Sequence, residues 1–291
     1  MKNTIKINTK DYYNNYYGHT IQHLNFVHKN LKKNNDNIIF LAGDSSLDNK
    51  YWLSKNEIYN AINGYENILY PSNMKPDISY HINTLINNSN TSCINCAVEA
   101  STIDLRIKDL LNQDKFIRDN ISSNDTLIIS LGGNDIALAP TNLTLLNMAS
   151  LLYMNTCYII KQGPDIAWGL KYFIHMFKDM VKEYIEKLIS KNKPKKIIVC
   201  TIYYPDLKQT GGWADKALNY MGYNSNPEKL KEAINQIYIH ATSEIKIEGI
   251  EIIPFPMFKI LDGHNTDDYI CRVEPSNLGG FKLAKALVEL I

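Results

Sequence analysis

The chain has 291 residues, of which 45% are hydrophobic, and this content is enough to bury a large core. Its 31 Lys and Arg residues nearly balance its 30 Asp and Glu residues, so the formal net charge is only +1. This balance provides no basic surface for nucleic acid or an anionic membrane, and nucleic-acid binding is disfavoured.

The N-terminal region and the cysteines favour a cytoplasmic location. Residues 1–36 are rich in Asn, Tyr and Lys and lack the continuous apolar stretch of a secretory signal. The five cysteines are an odd number for a disulfide framework, and the CxxC spacing of Cys93 and Cys96 has no second pair, so we interpret both as packing residues. Segment 143–160 is the most apolar but contains two asparagines and is shorter than the roughly 20 residues of a membrane span. No transmembrane segment is expected.

Five apolar runs bounded by turn residues have the composition of buried strands. They are residues 37–42, a run near 91–95, and residues 126–131, 196–202 and 250–254. The runs are continuous rather than alternating, and helical patterns separate them, as in a parallel sheet covered on both faces. The sequence therefore predicts an α/β fold with a mainly parallel, five-stranded sheet.

The helical patterns repeat apolar residues at helical spacing or begin with a capping residue. They cover residues 17–31, 102–117, 166–189, a helix starting at Asn226-Pro227, and residues 277–290. Two stretches near 49–89 and 208–227 are interpreted as insertions. The chain shows no internal repeat and no linker rich in Pro, Gly or Ser, so residues 1–291 are expected to form a single domain.

Gly43-Asp44-Ser45 follows the first predicted strand directly. Open α/β sheets place their ligand sites at the carboxyl ends of the strands, so the Ser45 hydroxyl is expected in such a site. Glycine permits the tight turn that this position needs. The alternative is that Ser45 or Asp44 merely caps the following helix.

Gly132-Gly133-Asn134-Asp135 follows the third predicted strand in the same way. The Asn134 amide can donate to a developing oxyanion, and such donors contribute on the order of 3 kcal/mol each in acyl transfer. The backbone amide of Ala100, after the second strand, is a candidate third donor. The alternative for residues 132–135 is an ordinary turn.

These blocks, with a final Glu274-Pro275-Ser276-x-x-Gly279, resemble the SGNH or GDSL hydrolase family over most of the chain. The resemblance implies a three-layer α/β/α sandwich similar to flavodoxin, and chemistry without a metal or an organic cofactor. It implies that Ser45 is the nucleophile, that Asn134 is the oxyanion side chain, and that Ala100 stands where the family usually has glycine.

The end of the chain departs from this family. The family's Asp-x-x-His positions are occupied here by Cys271 and Glu274. Glu274 could accept the serine proton, but its unperturbed pKa is about 4.3, and the nearby helix N-terminus is expected to lower it. We therefore expect Glu274 to be a weak base at neutral pH.

Two other interpretations of this region remain open. His264 could act as the base, with Asp267 or Asp268 orienting it, or Asp262-Gly263-His264-Asn265 is a solvated turn. Alternatively, Glu274 pairs with Arg272 and only holds the loop.

The resemblance implies a serine-dependent hydrolase that cleaves an acyl or acetyl ester of a small molecule, a lipid or a glycan through an acyl-enzyme on Ser45. The alternative is a catalytically inactive binding protein that has lost the Asp/His relay. Acyl transfer to an acceptor other than water would use the same residues, with Trp213 and Tyr220 as a lid that excludes water. The oligomeric state and the substrate are left open.

Overall fold

A five-stranded sheet forms the middle layer of the computed structural model, which describes residues 5–87 and 89–291. Its strands are β1 (Asn37–Gly43), β2 (Thr91–Asn95), β3 (Thr126–Ser130), β4 (Lys196–Thr201) and β5 (Glu251–Pro256). All neighbours are parallel, in the order β2-β1-β3-β4-β5. This is the doubly wound order of flavodoxin-like folds, in which the chain reverses direction across the sheet beside β1.

Helices cover this sheet and connect its strands. In the part of the chain that the structure describes, they are α1 (Thr9–Tyr13), α2 (Ile21–Leu31), α3 (Ile78–Leu85), α4 (Ile103–Lys108), α5 (Asn112–Asn120), α6 (Gly133–Ala137), α7 (Asn142–Tyr153), α8 (Cys157–Lys161), α9 (Leu170–His175), α10 (Val181–Leu188), α11 (Ala214–Tyr220), α12 (Pro227–His240) and α13 (Asn277–Val288). A π-helical turn, Met176–Met180, joins α9 to α10.

The two faces of the sheet pack into two separate hydrophobic clusters. On one face, Ile39 and Leu41 of β1 belong to the same cluster as side chains of α3 and α13. On the other face, Ile38 and Phe40 belong to a larger cluster that includes α2, α5, α10 and α12. The expected three-layer α/β/α sandwich with a five-stranded sheet is therefore confirmed.

The single helix predicted over residues 102–117 is wrong, because the chain breaks between α4 and α5. Asp109 has extended backbone angles, and the Asp114 carboxylate accepts a hydrogen bond from the Leu111 amide at 3.0 Å, which starts a second helix. The same carboxylate forms an ion pair with buried Arg106. The apolar repeat runs through both helices and does not reveal this break.

Cys93 lies on β2, and both Cys93 and Cys96 are buried free thiols. Among the residues that the structure describes, no helix has the length and apolar character to cross a membrane.

Candidate active site

The loops that follow β1 and β3 meet at the carboxyl end of the sheet. Gly43 has a φ of 151°, and a Cβ there would lie 2.0 Å from the carbonyl oxygen of Ser130. Only glycine allows β1 to approach β3 this closely. Ser45 follows two residues later, and Asn134 lies on α6 immediately after β3. The tight turn thus brings Ser45 beside the loop that carries Asn134.

The Arg106 side chain connects the end of β1, just before Ser45, to the loop that contains Ser101. Its side chain is fully buried and donates hydrogen bonds to the Gly43 carbonyl at 2.5 Å and to the Ser101 hydroxyl at 3.0 Å. The second terminal nitrogen, Nη1, pairs with Asp114 and donates to the Tyr184 hydroxyl at 3.2 Å. Because a buried guanidinium with these partners is costly to move, it fixes the end of β1 relative to the Ser101 loop.

Three N–H donors lie on these loops. The Asn134 side-chain amide donates to the Ser101 carbonyl at 3.0 Å, which uses one of its two hydrogens and fixes its orientation. The backbone amides of Ser45 and Ala100 donate to no acceptor within the described part of the chain. Ala100 has a φ of 57°, which is unusual for a residue with a Cβ and matches its position where the resembled family has glycine. Asn134 and Ser45 line the same cavity, whereas Ala100 does not.

This cavity has a volume of about 90 Å³ and brings Ser45, Asn134 and Glu274 together. Tyr203, Trp213 and Val273 also line it. Its apolar walls include Ile136, Ile202, Leu218, Met221, Leu230 and Ile234. The arrangement is a concave, mostly apolar site with a few polar groups at one end, as in many small-molecule sites.

Glu274 is only 1% exposed, and burial raises its pKa to about 8. The nearby Ser45 hydroxyl and Trp213 indole lower this pKa, while the charges of Asp44 and Asp48 raise it further. The expectation of a lowered pKa is therefore wrong, because burial is the largest cause and raises it. At a pKa near 8, the ionised carboxylate is a much stronger base than an exposed glutamate.

Glu274 and Trp213 each have a buried polar atom that lacks a hydrogen-bond partner within the described residues. Glu274 Oε2 and Trp213 Nε1 are buried and have no hydrogen-bond partner among the described residues. Ser45 and Glu274 are close neighbours but do not form a hydrogen bond of ordinary geometry. The hydrogen bond between a nucleophile and its base often becomes short only when substrate binds.

A second buried carboxyl, Glu99, lies near Glu274 and was not identified from the sequence. Burial, followed by the negative charge of Glu274, raises the pKa of Glu99 to about 9. Its Oε1 accepts a hydrogen bond from Trp52 Nε1 at 3.3 Å, and Oε2 has no partner within the described residues. Glu99 is therefore mostly protonated and neutral at pH 7. No local motif marks Glu99, since its hydrogen-bond partner Trp52 lies 47 residues away in the sequence.

His264 is exposed and does not line the cavity. Its backbone amide donates to the Asp262 carboxylate at 3.0 Å, which is the hydrogen bond of a solvated turn. Asp267 is also exposed, and Asp268 forms an ion pair with Lys282. The structure therefore does not bring His264 to Ser45, and its role as the base stays a prediction.

Arg272 does not pair with Glu274, so that interpretation is wrong. Its guanidinium donates to the Asp215 carboxylate and the Asn224 side chain, each at 2.9 Å. These partners belong to the stretch that the sequence identified as an insertion. In the same stretch, Trp213 lines the cavity, whereas Tyr220 is 48% exposed and does not.

No group of His, Cys, Asp and Glu side chains suited to a metal ion occurs within residues 5–87 and 89–291.

No protein-family model and no curated protein matches the sequence. Solved structures do match the fold. A lipase from a goat rumen metagenome superposes with a TM-score of 0.53 at 13% identity, covering 86% of this chain and 95% of the lipase. A lipase/acylhydrolase from Enterococcus faecalis has a TM-score of 0.41 at 13% identity, covering 88% and 95% of the two chains. An acetylxylan esterase from Geobacillus stearothermophilus has a TM-score of 0.41 at 12% identity, covering 88% and 94%. The similarity to the rumen lipase is one of fold alone.

Proposed function

We propose that this chain is a serine-dependent hydrolase of carboxylic esters, a divergent SGNH-type enzyme that acts as one domain without a metal or organic cofactor. The observation that carries the proposal is the convergence of Ser45, Asn134 and Glu274 on one buried cavity. The fold shared with the rumen lipase is compatible with this reaction but does not decide it. Candidate substrates are small-molecule, lipid or glycan esters.

In the proposed reaction, the Glu274 carboxylate accepts the Ser45 hydroxyl proton while Ser45 Oγ forms a bond to the ester carbonyl carbon. The negative charge on the carbonyl oxygen is stabilised by the amides of Ser45 and Ala100 and by the Asn134 side chain. The bond to the alkoxy oxygen then breaks, and Glu274 returns the proton to the leaving alcohol.

Water completes the proposed cycle. Glu274 removes a proton from a water molecule that attacks the acyl-enzyme, and the released acid leaves Ser45 with its proton restored. An acceptor alcohol in place of water would give acyl transfer with the same residues. The half-buried Trp213 at the cavity wall would limit water access in either case.

The first test is the hydrolysis of p-nitrophenyl acetate and butyrate by the wild type and by Ser45→Ala. We expect kcat/KM to fall at least about a thousandfold, because the acyl-enzyme cannot form. Ser46→Ala is the matched control; its hydroxyl donates to Asp44 at 2.6 Å, and we expect a far smaller loss. Labelling by a fluorophosphonate probe, mapped to Ser45, is the independent readout.

A second candidate function is a binding protein without activity, favoured by the exposed position of His264 and the absence of a His in the cavity lining among the described residues. If the wild type is no faster than Ser45→Ala and the probe does not label Ser45, this second function replaces the first.

A further inference from the structure

A second apolar cavity, of about 20 Å³, lies behind the first one. It is lined by Met148 and Leu151 of α7, Phe173 of α9, and Ala233 and Ile237 of α12. Every side chain that lines it is apolar, so a water molecule there would find no hydrogen-bond partner on them. Such a space accepts hydrocarbon in preference to water.

Three side chains belong to the walls of both cavities: Ile136 of α6, and Leu230 and Ile234 of α12. Leu230 and Ile234 are four residues apart and therefore lie on one face of α12. These three residues form the partition between the cavity that contains Ser45 and the apolar space behind it.

The volumes of the two cavities limit the size of the group that fits. The first cavity, at about 90 Å³, is more than four times as large as the second, at about 20 Å³. A short aliphatic chain therefore suits the first cavity, and the second adds little room. A longer chain would have to displace Leu230 or Ile234 to reach the second cavity.

We propose that the first cavity holds the acyl chain of a short aliphatic ester and that the partition of Ile136, Leu230 and Ile234 sets its maximum length. The inference rests on the proposed function. The acyl group remains bonded to Ser45 after the alcohol leaves, so a mostly apolar cavity next to Ser45 suits the acyl part of the substrate.

The test compares kcat/KM for p-nitrophenyl acetate, butyrate, hexanoate, octanoate and decanoate. In the wild type we expect a rise of about fourfold per methylene while the chain fills the first cavity, followed by a fall at octanoate. Leu230→Ala and Ile234→Ala are expected to open the partition and raise the octanoate-to-butyrate ratio at least tenfold. Thermal unfolding of each variant verifies that it is folded.

Met148→Ala is the matched control, since Met148 lines the second cavity and not the first. Its octanoate-to-butyrate ratio is expected to stay within about threefold of the wild type, because a truncation there leaves the partition and the first cavity intact. An equal shift in Met148→Ala and Leu230→Ala would overturn the role of the partition. A second series, ethyl, butyl and hexyl butyrate, overturns the assignment to the acyl group if the alcohol length governs the rate.

Binding to Ser45→Ala separates this inference from the proposed function. Trp213 lines the first cavity, so its fluorescence reports ethyl butyrate and ethyl octanoate binding without turnover, and Trp213→Phe identifies its signal. Octanoate-ester binding that improves at least tenfold when Leu230→Ala is added supports the partition even if no ester is hydrolysed. Hydrolysis that proceeds with no chain-length preference in any variant overturns the partition and leaves the proposed function standing.

Discussion

The sequence resemblance implies that Glu274 stands at the histidine position of the SGNH family, and the surroundings of Glu274 in the fold change its chemistry. The sequence predicts an ordinary, weakly basic carboxylate, because only the helix that follows it is visible there. The structure adds burial to 1% exposure and the nearby negative charges of Asp44 and Asp48. These surroundings give Glu274 the raised pKa that a general base needs.

We predict that kcat/KM for p-nitrophenyl butyrate rises with pH and levels off above pH 8. The base must be ionised, and Glu274 has a pKa of about 8, so the active fraction is small at pH 6 and grows through this range. Glu274→Gln is expected to lower kcat/KM by roughly a hundredfold to ten-thousandfold, because the amide cannot accept the proton. Stopped-flow or steady-state rates across this pH range provide the measurement, with background hydrolysis subtracted.

His264→Ala is the matched control for this assignment. Its side chain is exposed and lies outside the cavity, so we expect the pH profile of the wild type to persist in the variant. A profile that inflects near pH 6.5 and disappears in His264→Ala would instead identify histidine as the base.

At the level of elements, the hairpin that carries Glu274 is tied to the inserted stretch by one buried side chain. Tyr269–Ile270 and Glu274–Pro275 form an antiparallel pair, and the turn between them contains Arg272 at a φ of 72°. The Arg272 side chain has no exposed surface and also donates to the Asp206 carbonyl at 2.9 Å. The arginine thus couples the position of Glu274 to the stretch that carries Trp213.

We predict that Arg272→Met lowers the free energy of unfolding by about 3 kcal/mol, because it leaves several buried acceptors without a donor. Arg272→Lys is expected to recover little of this, since an ammonium cannot reproduce the planar set of donors. The control, Asp215→Asn, should cost less than about 1 kcal/mol, because that carboxylate is partly exposed. Urea unfolding measures all three; equal losses in Arg272→Met and Asp215→Asn would contradict the coupling.

The elements differ in how far the sequence predicts them. All five strands are predicted to within about two residues, because buried parallel strands are continuous apolar runs bounded by turns. The break between α4 and α5 is not predicted, since it depends on the Asp114 carboxylate and its tertiary partner Arg106. In the same way, motifs identify Ser45 and Asn134 as candidates, but Glu99 and Glu274 are buried by the tertiary fold, which cannot be read from local sequence.

At the level of the whole molecule, the strand order of the sheet and the packing of helices on it together determine where the candidate site lies. The order β2-β1-β3-β4-β5 creates a crevice beside β1, at the carboxyl ends of the strands. The larger hydrophobic cluster, which includes α7 and α12, covers one face of the sheet and provides the apolar walls behind Ser45. Glu99 and Glu274 are buried in this crevice, so ionising either carboxyl lowers the stability of the fold.

We therefore predict that the protein becomes less stable as the pH rises from 7 to 8. Glu99 and Glu274 have an ordinary pKa of 4.5 but values of about 9 and 8 in the fold, so at pH 7 the folded chain binds more protons than the unfolded chain. Under linkage, the stabilisation is complete below pH 4.5 and is lost as the pH rises through these folded values. The loss between pH 7 and 8 should be on the order of 2 kcal/mol, since each group contributes up to about 1.4 kcal/mol per pH unit.

Urea unfolding at both pH values should show a much smaller difference for the double variant Glu99→Gln/Glu274→Gln, whereas exposed Glu248→Gln should match the wild type. A double variant with the full wild-type loss would mean that other groups control the pH dependence and that these two carboxyls are ionised at pH 7.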